Sequence, residues 1–325
     1  MIHRLVLWAM LAMAAESVCA ETANQTAQDR GREYLRSVQR ADGAIADPAD
    51  PLFETWETVL ATRALARSPS EADRDAVDRA LTFLKAQENV DQLVCHNRRC
   101  QAVICVETSA EYWGLRQELD GSEPTHRAVT ALWAYQQDDG RFLIGNPDVR
   151  ERKDFVSVTG FALMLPDRGV VSAQNRLAAL DWLVTQLQAD GSFGRAWEYY
   201  GTEAYAVWAV ARGISQFDPA QTRTLRDRLT EWLRHTQNPD GSWPAPDDPG
   251  VGVSAELVTA LNTQSLAALT PDDTAADKAR DWLRSRQHAD GHWTGGRFPI
   301  PVDRYRKTED LAATAWAIQA LDHRP

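Results

Sequence analysis

Cations are scarce in this chain. It has 35 Lys and Arg against 46 Asp and Glu, for a net charge of −11. Binding a polyanion such as DNA or RNA needs clustered basic side chains, so the acidic balance argues against nucleic acid and against an anionic membrane surface. Beyond the first twenty residues no long apolar run occurs, so no integral membrane segment is expected in the mature chain. No nucleotide loop is present, and no cofactor is expected. Cysteine is sparse, with four residues in 325, and only Cys95, Cys100 and Cys105 lie beyond position 20. No Cys-x-x-Cys pair exists among them, so no metal is expected, and a zinc site built from His96 and the three thiols is the sharper alternative. An odd count in an oxidising compartment points to one bridge and one free thiol. Cys95 and Cys100, which enclose His96-Asn97-Arg98-Arg99, are the first choice for the bridge.

Residues 1–20 read as a secretory signal. Arg4 supplies a positive start, Leu5 to Ala15 an apolar stretch, and Val18-Cys19-Ala20 a small-residue cleavage site. A periplasmic or secreted protein follows, with residues 21–325 as one domain.

What the chain has in plenty is one phrase, Gln-x-x-x-Gly-x-aromatic, returning at intervals of about fifty residues. The two cleanest copies are Gln237…Gly241…Trp243 and Gln287…Gly291…Trp293. Looser copies are Gln136…Gly140…Phe142, Leu187…Gly191…Phe193 and Gln39…Gly43…Ile45, and a degenerate one is Gln87…Asp91…Leu93. Each copy closes an amphipathic helix, as in the stripe Leu225, Leu229, Trp232, Leu233 or its repeat Ala275, Ala279, Trp282, Leu283. The glycine can take the left-handed conformation that ends a helix. Between these lie Ala-rich helices apolar on every face, such as 157–165, 203–210 and 314–321, which must be buried. Six alternations use nearly the whole mature chain. An array with no polar capping unit must close on itself, so the expected fold is all-α, an α6/α6 toroid with a cavity at its axis.

The repeated phrase resembles the QW motif of the terpene cyclase and prenyltransferase superfamily, which includes squalene–hopene cyclases, and the resemblance covers residues 26–325. It implies the same toroid, with the motif residues stapling the outside of the ring. Class II cyclases of this superfamily protonate an alkene or epoxide with an Asp-x-Asp-Asp motif at the start of an inner helix. Lys307-Thr308-Glu309-Asp310 stands in that register, so Glu309 is implied as proton donor with Asp310 beside it. Lys307 replaces the first Asp, and a positive neighbour favours the carboxylate over the acid. Pro271-Asp272-Asp273-Thr274-Ala275 shares some of the letters but opens an outer helix, where Asp and Thr serve as caps. The Asp-x-Cys of zinc prenyltransferases and the Cys-Gly-Glu-Gln of thioester domains are both missing.

Acids recur at the starts of the inner helices: Glu54 and Glu57, Glu107 and Glu111, Glu203, Glu256, Glu309. Ring closure would gather them at one mouth. Glu198, Tyr199, Tyr200 and Glu203 add a dense cluster, and Trp56, Trp113, Trp208, Tyr305 and Trp316 are expected to line the same cavity. Aromatic walls suit an isoprenoid, whose carbocations the ring faces stabilise. They also suit a carbohydrate, with carboxylates as acid and base. A cyclase-like isomerase or lyase acting on a small apolar ligand is the first expectation. The alternatives are a polysaccharide lyase or glycoside hydrolase and a non-catalytic binding module.

Overall fold

The computed structural model describes residues 22–47, 51–100, 103–145, 155–165, 169–194, 199–246, 252–271, 273–297 and 308–322. Twelve α-helices run through them. The outer ones are α1 (residues 22–37), α3 (Glu71–Lys85), α5 (His126–Trp133), α7 (Ala173–Gln186), α9 (Arg223–Thr236) and α11 (Thr274–Arg286). The inner ones are α2 (Glu54–Ala66), α4 (Val106–Asp120), α6 (Phe155–Met164), α8 (Glu203–Ile214), α10 (Ala255–Leu269) and α12 (Asp310–Leu321). Every inner helix packs on the next, and α12 packs back on α2. The inner ring is therefore closed, as an array without caps requires.

The two helix classes differ as the sequence pattern expects. In α12 every residue from Leu311 to Leu321 is buried, whereas α9 buries only Leu225, Leu229, Thr230 and Leu233. Trp232 and Trp282 are only partly buried, and in α11 the buried stripe runs through Ala276 rather than Ala275. No described helix is long and apolar enough to cross a membrane.

Each repeated phrase ties one unit to the next. The Gln237 side-chain amide donates to Gly241 O and, at 2.9 Å, to Ala275 O in the first turn of α11. Gln39 does the same to Ala76 of α3, Gln136 to Asn175 of α7, and Gln287 to Ala27 of α1. The last of these joins the sixth unit to the first helix. Gly241 has φ +92°, and a Cβ there would stand 2.5 Å from Lys278 O. The position thus needs glycine for its backbone and for its closeness to the next helix. The residue two further on donates its backbone N–H to a Thr hydroxyl on the following inner helix: Ile45 to Thr58, Phe142 to Thr159, Trp243 to Thr259 and Trp293 to Thr314. Trp243 and Trp293 also donate their indole N–H to Leu233 O and Leu283 O, at the end of the helix they follow.

Candidate site inside the ring

The rings that meet inside the toroid are Trp56 of α2, Phe161 of α6, Tyr205 and Trp208 of α8, Trp316 of α12, and Tyr200 from the short 3-10 turn Tyr199–Gly201. Trp56 meets Phe161 edge-on at 5.8 Å, and Trp208 meets Trp316 at 5.4 Å. Tyr200 lies 5.1 Å from Tyr205 and 5.2 Å from Trp316, and its hydroxyl accepts the Trp56 indole N–H at 2.9 Å. Since α2 is not a ring neighbour of α6 or α8, these contacts cross the axis. These rings are each exposed by 4% or less. Edge-to-face pairs of this kind add about 0.5–1.5 kcal/mol each beyond burial. Tyr200 is held with φ +66°, ψ 3°, a left-handed conformation uncommon outside glycine.

Further along the inner helices the axis is crossed by charge. The fully buried Glu111 of α4 meets Arg63 of α2 at 2.9 Å and pairs through its other oxygen with Arg212 of α8. Arg63 also donates to Glu111 O at 2.9 Å and reaches Glu118 at 3.0 Å. The Arg212 guanidinium lies over the Trp208 ring, 5.0 Å from its centroid, so charge and aromatic cluster are continuous. Burial pushes Arg212 below the ordinary arginine range, and the Glu111 carboxylate opposes that shift.

The described acids at the helix starts have partners close at hand. Glu54 pairs with Arg40 at 2.5 Å and Arg98 at 3.0 Å, and Glu256 with Arg286 at 3.4 Å. Glu57 accepts the Asp47 N–H at 3.1 Å, Glu107 accepts the Ser157 hydroxyl at 3.1 Å, and Glu203 is partly buried in the first turn of α8. Glu54 starts its helix, Glu57 comes three residues later and Glu107 is the second residue of α4. Glu309 is fully buried at the N-cap of α12, its backbone N–H donating to Gly296 O at 2.9 Å. Asp310 accepts the Gly295 N–H at 2.8 Å. It holds a loop that continues into β2 (Gly296–Arg297), which pairs antiparallel with β1 (Gly252–Val253). Asp273 caps α11 by accepting the Ala275 N–H.

Trp113 is not part of the axial cluster. Its indole donates to Gln92 O at 3.0 Å and its ring lies against Tyr112 at 5.5 Å. It stands two residues past Glu111, about 200° round the helix from the axis. Glu198 and Tyr305 lie outside the described residues, and Tyr199 is placed only as the start of the 3-10 turn. Phe161, Arg63 and Arg212 escaped the sequence reading. The signal that finds them is helical spacing: i, i+7 along α2 (Trp56, Arg63), i, i+4 along α6 (Ser157, Phe161), and i, i+3, i+7 along α8 (Tyr205, Trp208, Arg212).

The Sγ atoms of Cys95 and Cys100 are 2.03 Å apart, and Cys105 is a buried free thiol at the N-cap of α4. Burial and the Glu107 carboxylate push that thiol up to about 12.

Residues 158–299 match the family described as squalene-hopene cyclase C-terminal domain. Among solved structures the chain is similar to the type II terpene cyclase MstE from Scytonema. The two are 17% identical with a TM-score of 0.71, over 92% of this chain and 98% of that one. It is also similar to ent-copalyl diphosphate synthase from Streptomyces platensis, at 20% identity and a TM-score of 0.60, over 83% of this chain and 50% of that one. An unsaturated glucuronyl hydrolase specific for heparin shares the fold at 10% identity and a TM-score of 0.62, over 94% of this chain and 96% of that one. None of the curated proteins matches the chain by sequence. The chain is a terpene cyclase-like all-α toroid, as the repeated phrase led one to expect.

Proposed function

We propose that the protein binds an isoprenoid-type apolar ligand against the aromatic cluster of its ring, and that Glu309 starts acid-initiated chemistry on it. The observation that carries the reading is the group of six mutually contacting rings inside a closed toroid. Tyr200 belongs to a short turn rather than to an inner helix, and its backbone stores the strain of a left-handed residue. Its displacement would free the faces of Trp56, Tyr205 and Trp316 and break the Trp56 N–H bond to its hydroxyl, a cost of about 1–3 kcal/mol that burial of an apolar ligand against the freed faces offsets. Those faces would stabilise a carbocation formed against them, since π-faces attract cations. Glu309 would give its proton to a terminal alkene carbon, leaving the cation on the neighbouring carbon, while Asp310 fixes the loop at Gly295 that passes over the helix start. Likeness to a type II terpene cyclase solved with geranylgeranyl dihydroxybenzoate supports this ligand class.

The carbohydrate reading has less behind it. It rests on fold likeness at 10% identity, and its proposed acid Glu198 lies outside the described residues. Export through residues 1–20 is part of the proposal and is supported by their charge and apolar pattern.

The test is titration of the purified chain with geranylgeraniol, read by tryptophan fluorescence, followed by product analysis after incubation with squalene and geranylgeranyl substrates. Glu309→Gln should bind as the parent does and form no product. Unchanged product formation in that variant would remove Glu309 as the acid.

A further inference from the structure

Helix α10 supplies none of the six rings and has no aromatic residue. It packs on both α8 and α12, the helices that carry Trp208 and Trp316. Its Gln264 ties those two residues together. The side-chain Oε1 accepts the Trp208 indole N–H at 3.1 Å, and Nε2 donates to Trp316 O at 2.9 Å. Both tryptophans are fully buried, while Gln264 is half-buried. An amide has its acceptor on one side and its donors on the other, so only one of its two flips serves both partners. The bond to α12 thereby aims Oε1 at Trp208. The torsion of an indole about its Cβ–Cγ bond is broad and roughly two-fold, and packing alone leaves two ways for the ring to lie. The bond to Oε1 selects one of them. Trp208 then meets Trp316 edge to face at 5.4 Å, with the Arg212 guanidinium 5.0 Å from its centroid. With Tyr200 displaced, Trp316 keeps Trp208 as its neighbour.

We propose that Gln264 is a positioning residue of the ligand site: acting through Trp208, it fixes the ring surface of Trp208 and Trp316 against which an apolar ligand is held. The ligand half of the proposal rests on the isoprenoid reading of the site, and the residue half on hydrogen-bond geometry. A methionine at this position would fill nearly the same space, because swaps that conserve volume disturb packing least. It would leave the buried Trp208 N–H without its acceptor, which is costly. The ring then turns to find another, and the surface that it shares with Trp316 changes shape.

The test compares the parent chain with Gln264→Met, which removes both bonds. Two indoles in contact couple their transitions, and the resulting far-ultraviolet circular-dichroism couplet of the ligand-free chain is assigned by its loss in Trp208→Phe. In Gln264→Met the couplet should shrink or change sign, and the dissociation constant for geranylgeraniol should rise roughly tenfold. Gln264→Glu keeps an acceptor for the indole and should restore most of the couplet. Gln237→Met loses a joint on the outside of the ring; it should lower the melting temperature and leave couplet and affinity at parental values. Should Gln264→Met fail to fold, Gln264→Asn, too short to span both partners, asks the same question. A parental couplet in Gln264→Met, parental affinity in a chain whose couplet is lost, or an equal loss of both in Gln237→Met would overturn the proposal. A parent chain that binds no geranylgeraniol would sink the isoprenoid reading and the ligand half with it, while the couplet would still decide whether Gln264 sets the rings.

Discussion

Glu111 is one carboxylate between two guanidiniums, and all three belong to different inner helices. Removing one partner from such a buried network strands the remaining charge and costs about 3–5 kcal/mol. Glu111→Gln should therefore lower the unfolding free energy by about 3 kcal/mol or more in urea denaturation, and an unchanged midpoint would show the network to be slack. Cys105 gives a second expectation. Its thiol is buried and held near 12, so a thiolate-selective reagent at mild alkaline pH should label it only after unfolding; labelling of the native chain would contradict its burial. Asp42 gives a third. Burial alone raises its carboxyl, but hydrogen bonds from Arg98 and Arg40 outweigh that and hold it at about 2, below the ordinary 3.8. A depressed folded value stabilises the fold above the unfolded value and stops doing so as pH falls through the folded one. The melting-temperature gap between the parent and Asp42→Asn should be present near pH 5 and shrink towards about pH 2. Residue types alone misled at this scale. Trp113 and Trp208 look equivalent as letters, yet only Trp208 faces the axis, because register within the helix decides direction.

At the scale of the element, the repeated phrase acts as a joint between neighbouring units. Gly241→Ala would force a left-handed residue and bring a Cβ to 2.5 Å from Lys278 O. A loss of about 2–3 kcal/mol in denaturation is expected. The fourth unit lacks the glutamine, with Leu187 in its place, although its backbone at φ −65°, ψ 128° matches Gln237 at φ −70°, ψ 131°. Gly191 also approaches Arg228 O of the next outer helix, as Gly241 approaches Lys278 O. Leu187→Gln should therefore reach Gly191 O and the first-turn carbonyl of Leu225, and stabilise the chain by about 1 kcal/mol; a lower melting temperature would show that the fourth joint has a different geometry. Helix classes were legible in the sequence because burial leaves a compositional mark: α12 is apolar on every face and α9 on one. The partners of the glutamine amides were not legible, since the next helix's carbonyls are some forty residues away and only closure of the ring brings them near.

For the whole molecule, the spacing of the repeat was enough to expect a closed toroid, because an array with exposed ends would leave apolar helices in water. What fills the axis was not readable in the same way. Trp56, Phe161, Tyr205 and Trp316 come from four inner helices, and their meeting depends on the radius of the ring as well as on any local pattern. Glu309 was named only through the resemblance of Lys307-Thr308-Glu309-Asp310 to an acidic motif at the start of an inner helix. The claim that joins these scales is that the aromatic interior exists to hold an isoprenoid. Native mass spectrometry of the chain purified from the cells that make it tests this most directly. A bound apolar mass, removed by organic solvent and identified as an isoprenoid, is the expected result. A bare chain mass that stays bare after incubation with geranylgeraniol and squalene would contradict it.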